Sequence, residues 1–294
     1  MPLSAPKAVR FALRRTNKPY FLIFVLPTFV AFFIAFFVPF LLGIYLSFTE
    51  FTTVGNASFV GLKNYVAVFS SGSRFWQAFW FTAKFTLVST VTVNLIAFFL
   101  ALLLTRGKKG TNLFRTVFFM PNLIGGIVLG YIWQLIINGF LVRLGVDITY
   151  SASYGFWGLV LLTNWQLIGY MMIIYIAGLQ NIPKELHEVA SIDGASAWDV
   201  LKHVTLPLVM PSVTICGFLT LTNSFKMFDQ NFALTGGAPG KETAMLALDI
   251  YQTFYGSVGQ EGIGQAKAVI FFLLVAAIAG IQLYLSKRRE ARAE

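Results

Sequence analysis

Six stretches of this chain are each long and apolar enough to cross a lipid bilayer, and nothing else in the sequence limits its fold as strongly. A helical span needs about 20 apolar residues, each adding about 1.5 Å, to cross a hydrocarbon core of about 30 Å. The stretches are 20–48, 79–104, 117–137, 157–179, 208–225 and 268–285. The sequence therefore reads as an all-α polytopic membrane protein with six transmembrane helices. Composition excludes the main alternatives. With 57% hydrophobic and 12% charged residues, the chain departs from a soluble enzyme, in which about a quarter are charged, and from a disordered one, which needs low hydrophobicity.

The basic residues give a topology. Fifteen of the 22 Lys and Arg lie in the N-terminal tail, at 106–115, at Lys184 and Lys202, and after residue 286. The other seven are Lys63, Arg74, Arg143 and Lys241, with Lys84, Lys226 and Lys267 near span ends. Cytoplasmic loops carry the excess of Lys and Arg, so both termini are expected in the cytoplasm. The net charge of +10 is then a property of the loops rather than of one basic stripe, and nucleic acid is not an expected partner. The first apolar stretch is too long for the 7–15 residues of a secretory h-region and lacks a small-residue cleavage site, which suggests a retained signal anchor. The expected organisation is a cytoplasmic tail 1–19, a transmembrane unit 20–286 containing a cytoplasmic loop 182–207, and a cytoplasmic tail 287–294. A single cysteine, Cys216, forbids an intrachain disulfide.

Catalytic motifs fail at defining positions. Gly240-Lys241-Glu242 resembles the end of a phosphate loop, but Thr235 stands where the first glycine is needed and Glu242 where a Mg²⁺-binding hydroxyl is needed. His187-Glu188 opens a zinc-protease pattern whose second histidine, at i+4, is Ser191. No catalytic or metal-ligating residue is assigned. In the third stretch, Gly126 and Gly130 form G-x-x-x-G, which permits close approach of a helix from this chain or from another subunit.

Residues 181–207 read as two short amphipathic helices. Pro183 suits a first turn, Glu185 favours the positive dipole end, and Gly194 can take a left-handed stop. Ser196-Ala197-Trp198-Asp199 resembles a capping box, and Leu206-Pro207 is expected to end the second helix. Leu186, Val189 and Ala190 share one face of the first, and Trp198, Leu201 and Thr205 one face of the second.

Glu188-Val189-Ala190, three residues, Gly194, nine residues, then Val204-Thr205-Leu206-Pro207 resembles the cytoplasmic signature of ABC importer permeases, E-A-A-x₃-G-x₉-I-x-L-P. Val189 and Val204 are the departures. Further matches look like the carbohydrate-type subgroup: Phe59-Val60-Gly61-Leu62-Lys63-Asn64-Tyr65, Arg115-Thr116-Val117-Phe118-Phe119-Met120-Pro121 and Leu234-Thr235-Gly236-Gly237. The resemblance implies a bacterial cytoplasmic-membrane importer in which a second permease, two cytoplasmic ATPases and an extracytoplasmic solute-binding protein join this chain to move a sugar inward. It implies that ATP and Mg²⁺ bind the partner subunits and that no cofactor binds here. It assigns ATPase coupling to Glu188, Ala190, Gly194, Leu206 and Pro207.

The fifth stretch is the least apolar, with Pro211, Thr214, Thr220, Thr222 and Asn223, so it should be shielded by protein or line a wet path. Amides offer a sugar both hydrogen-bonding roles, and aromatic rings offer it a face. Candidates for a substrate path are Asn164, Gln166, Tyr170, Thr220 and Asn223, with Asn223 and Tyr170 first. Lys226 and Asp229 are expected to pair at the outer mouth. Two other classes remain: a secondary transporter, disfavoured because no Asp or Glu stands mid-span, and an intramembrane enzyme, for which no convergent nucleophile is evident.

Overall fold

The computed structural model describes residues 17–70, 72–105 and 110–290. Lys7, Arg10, Arg14, Arg15, Arg106, Lys108, Lys109 and Arg292 of the charge tally lie outside the described residues. Among the described residues, six helices meet the length and apolarity of a membrane span: Ile23–Leu46, Phe75–Thr105, Gly126–Leu144, Ala152–Gln180, Ala197–Phe225 and Glu261–Gln282.

The first span is built from α1 (Asn17–Phe32), a π-helical turn (Phe33–Phe37) and α2 (Val38–Leu46). It is exposed along most of its length, with Phe24 and Ile34 on its surface. An antiparallel pair, β1 (Thr49–Glu50) with β2 (Ser58–Phe59), and the short α3 (Lys63–Phe69) lead to α4 (Phe75–Thr105), the second span. Asn64 explains the first of the subgroup motifs. Its buried amide donates to the Ser47 and Thr49 carbonyls at 3.0 and 2.8 Å, while the Tyr65 and Ser47 hydroxyls lie 2.7 Å apart, so the motif clasps the end of the first span.

The third span differs from the expected 117–137. Residues Thr111–Phe119 form a separate amphipathic helix, α5, and a 3-10 turn at Met120–Leu123 breaks the chain before α6 (Gly126–Leu141). Pro121 at the start of that turn and extended Gly125 at the cap of α6 supply the break.

The fourth span, α7 (Ala152–Gln180), begins at Ser151, whose hydroxyl accepts from the Tyr154 amide. Two thirds of its most apolar window is buried, against 6% for the first span, which makes α7 the central helix. Toward one end it packs Met171, Met172 and Tyr175 against Val93, Ala97 and Ala101 of α4 and against Val209 and Cys216 of the fifth span. Toward the other end, Phe156, Leu159 and Leu162 pack with Phe85, Leu129 and Leu234. Gly169 lets α5 cross closely, since a Cβ there would collide with the Phe118 carbonyl.

After α7 come α8 (Lys184–Ile192) and α9 (Ala197–Val200). A π turn (Leu201–Thr205) then runs directly into α10 (Leu206–Phe225), the fifth span. The expectation that Leu206-Pro207 ends the second coupling helix is corrected. Pro207 has no amide hydrogen to give, and the wider turn ahead of it lets the helix continue past the missing bond. Pro39 follows the π turn of the first span in the same way.

The remaining segment carries α11 (Asp229–Leu234) and α12 (Leu246–Gly256) before the last span, α13 (Glu261–Glu290). Asn231 organises it from a fully buried position. Its amide donates to the Thr235 hydroxyl and the Thr243 carbonyl, and its oxygen accepts from the Met245 amide at 2.9 Å. Gly236 and Gly237 of the Leu234-Thr235-Gly236-Gly237 motif take φ of +57° and +90° to make the turn.

Candidate functional site

Two features, at opposite ends of the fifth span, gather most of the candidate residues. The first is the 182–207 loop. Its ends are held in the core by Ile182, Thr205 and Val209, while nearly everything between them is exposed. At its centre α8 closes in a Schellman motif: the Ala195 amide donates to the Ala190 carbonyl at 3.0 Å and the Gly194 amide to the Ser191 carbonyl at 3.2 Å. Gly194 has φ +75°, the left-handed conformation that the sequence anticipated. Across the turn, Ser196 and Asp199 form the expected capping box, each amide donating to the other's side chain at 3.2 Å.

This construction leaves an apolar surface uncovered. Val189 and Ile192 on α8 and Trp198 on α9 are 56%, 84% and 68% exposed, and Glu188 stands exposed beside them. Leu206 and Pro207 lie at the root of the fifth span, both exposed. The five signature residues thus divide into a projecting helix end, Glu188, Ala190 and Gly194, and the start of a membrane helix, Leu206 and Pro207.

The second feature is a polar cavity of about 480 Å³, lined by Asn122, Gln166, Asn223, Lys226, Asp229 and Gln230 with Leu167, Met227 and Phe228. Buried Gln166 accepts from the Gln230 amide at 2.8 Å and turns its own amide toward the Ile124 carbonyl. Asn223 lies exposed at the end of α10.

The five candidates of the substrate path do not converge. Gln166 and Asn223 line the cavity. Asn164 is buried and bridges helices, donating to the Thr92 hydroxyl at 2.9 Å and to the Val160 carbonyl. Thr220 is fully buried and takes a bond from Asn94, whose oxygen in turn receives the Tyr175 hydroxyl at 2.8 Å. Tyr170, one of the two favoured residues, packs its ring against Phe119 outside the cavity. The expected Lys226–Asp229 pair does not form; among the described residues the ion pairs are Lys63–Glu50 and Lys267–Asp249. The helix stops at Phe225, and non-helical Lys226 and Phe228 remove the i, i+3 relation that the expectation assumed.

Asn122 and Gln230 were not anticipated. Asn122 follows Pro121 in the broken third span, and Gln230 is carried by α11. The signal for the latter was the glycine pair. A Cβ at Gly126 would fall 2.6 Å from Asp229 Cβ, and one at Gly130 would fall 2.7 Å from Ala233 Cβ. The G-x-x-x-G seat is therefore filled within the chain by α11, which it presses against α6 so that Asp229 and Gln230 reach the cavity.

Residues 93–291 match the family model described as binding-protein-dependent transport system inner membrane component. A probable starch degradation products transport system permease protein from Thermoanaerobacterium thermosulfurigenes is 43% identical over 93% of this chain and 96% of its own length. A multiple sugar-binding transport system permease protein from Streptococcus mutans is 31% identical over 84% of this chain and 88% of its own. Among solved structures, a bacterial ABC transporter that imports the acidic polysaccharide alginate superposes with a TM-score of 0.77 at 21% identity, covering 94% of this chain and 99% of that one, a likeness of fold. Six spans, the signature loop and these matches lead to one assignment: the chain belongs to the binding-protein-dependent transport system inner membrane components, as a permease subunit of an ABC importer and not an enzyme.

Proposed function

We propose that this permease subunit imports oligosaccharides of starch-derived glucose, passing them through the cavity at Gln166 and Asn223. The cavity is the observation that carries the reading. Its amides supply donors and acceptors for sugar hydroxyls without the cost of burying a charge. The 43% identical relative named for starch degradation products supports the choice of sugar.

The working assembly contains a second permease, two cytoplasmic ATPases that bind ATP and Mg²⁺, and an extracytoplasmic solute-binding protein, in an inner membrane with both termini on the cytoplasmic side. Residues 20–286 are the transmembrane unit. The exposed Val189, Ile192 and Trp198 with Glu188 dock on an ATPase, Gly194 fixes the angle between the docking helices, and Leu206 and Pro207 pass movement to the fifth span. This chain itself binds no cofactor in the cycle.

Reconstitution tests the whole proposal. Proteoliposomes holding the four-part complex are expected to take up radiolabelled maltooligosaccharides only with ATP and binding protein present. Uptake that persists without either component, or accessibility of a cysteine at position 190 from outside intact cells in a Cys216→Ser background, rejects it.

A further inference from the structure

Phe228 is a wall between two cavities. One is the polar cavity above; the other, of about 420 Å³, is lined by Tyr251, Phe254, Tyr255 and Gln265 and is mainly apolar. The rings around Phe228 form an unbroken series. Phe232 stacks on Phe228 at 5.7 Å, Phe228 meets Tyr251 at 5.3 Å, and Tyr251 meets Tyr255 at 5.0 Å. Tyr251 and Tyr255 stand at i, i+4 on one face of α12, and Phe228, at the N-terminal cap of α11, stacks on Phe232 within it. The outer end of the series is open: Tyr251 is 40% and Tyr255 72% exposed, and neither hydroxyl has a hydrogen-bond partner among the described residues.

We propose that this aromatic series is a second carbohydrate subsite, where a pyranose ring stacks before it enters the amide cavity beyond Phe228. The inference rests on the carbohydrate reading above and extends it to the length of the substrate. A pyranose has an apolar C–H face and a polar rim, and rings flanked by free phenol hydroxyls and the Gln265 amide match both. Aromatic residues also anchor membrane proteins at the lipid headgroups, but anchoring does not require rings that touch in series and end on a polar cavity. Two subsites that share a wall suit a chain of sugars better than a single one. Longer substrates should depend on the outer rings, and short ones should not.

The test uses the complete reconstituted transporter at saturating binding protein, with radiolabelled maltose and maltoheptaose as probes. Tyr251→Ala with Tyr255→Ala is expected to slow maltoheptaose uptake about tenfold, the effect of losing a stacked ring or two, and to leave maltose uptake within about twofold. Tyr255→Phe, which keeps the ring, should retain most of the maltoheptaose rate. Equal losses for both sugars, or no loss for either, overturn the subsite. A lower yield of assembled complex with unchanged uptake per complex assigns the rings to anchoring and also overturns it. A wild-type complex that imports neither sugar overturns the carbohydrate reading itself, and the subsite with it.

Discussion

Lys267 of the last span and Asp249 of α12 form a buried ion pair, with Nζ 2.6 Å from Oδ2 and both side chains less than one tenth exposed. The Thr253 hydroxyl accepts a second bond from the ammonium at 2.9 Å and donates to the Asp249 carbonyl. The pair fixes α12, and with it Tyr251 and Tyr255, to the membrane helix behind it.

Lys267→Met or Asp249→Leu alone should each destabilise the protein by about 3–5 kcal/mol, because each leaves one charge buried without its partner. The double variant should recover much of that loss. Thermal unfolding of the four species in detergent closes the cycle, and single variants as stable as wild type would show that the pair carries no such weight.

Gly194→Val should cost about 1 kcal/mol or more at its left-handed position, although a Cβ there meets nothing within 4 Å. The penalty is therefore conformational, and Gly194→Asn should be milder. Both variants should insert normally. Gly194→Val, and independently Glu188→Ala, should weaken co-purification with the ATPase and lower transport; wild-type assembly and rates in both would remove the docking role.

The glycine seat allows a controlled comparison within one helix. Gly130→Leu should force α11 away from α6, an overpacking cost of about 1–3 kcal/mol, and reduce sugar uptake by displacing Gln230. Gly139 has open space around the same added atom, so Gly139→Leu should change neither stability nor uptake. Matching behaviour of the two variants in thermal and uptake assays contradicts the assigned packing.

Asn223→Ala and Asn164→Ala should separate passage from packing. Asn223 is exposed to the cavity, so its loss should lower uptake with little change in melting temperature. Asn164 bridges α4 and α7 through Thr92, so its loss should destabilise by about 1 kcal/mol while the Gln166 wall stays in place. Tyr170→Ala should follow Asn164→Ala. The reverse ranking in paired uptake and stability measurements would move the path away from the cavity.

The spans were legible because lipid demands long apolar helices, and the coupling turn was legible because Gly194, Ser196 and Asp199 act through their own backbone. The break at Pro121 was hidden because Val117, Phe118 and Phe119 are apolar on either reading, and hydropathy does not register a change of axis. Asp249 and Lys267 lie 18 residues apart on different helices, and no local pattern announces that they meet. The cavity was half legible: Gln166 and Asn223 stand out as amides in apolar helices, whereas Asn122 is absorbed into the apolar 117–137 stretch and Gln230 lies in a short helix that hydropathy treats as loop.

Because α9, the π turn and α10 form one continuous rod, Asn223 is mounted on the same shaft as Trp198. Eighteen residues separate Thr205 from Asn223, which is about 27 Å along a helix. A tilt of about 10° pivoting at Thr205 would swing the far end by about 5 Å, roughly one helical pitch. If the loop docks as proposed, a push at Trp198 would reach the amide cavity as a sideways stroke, and the helix that received it would also change the width of that cavity.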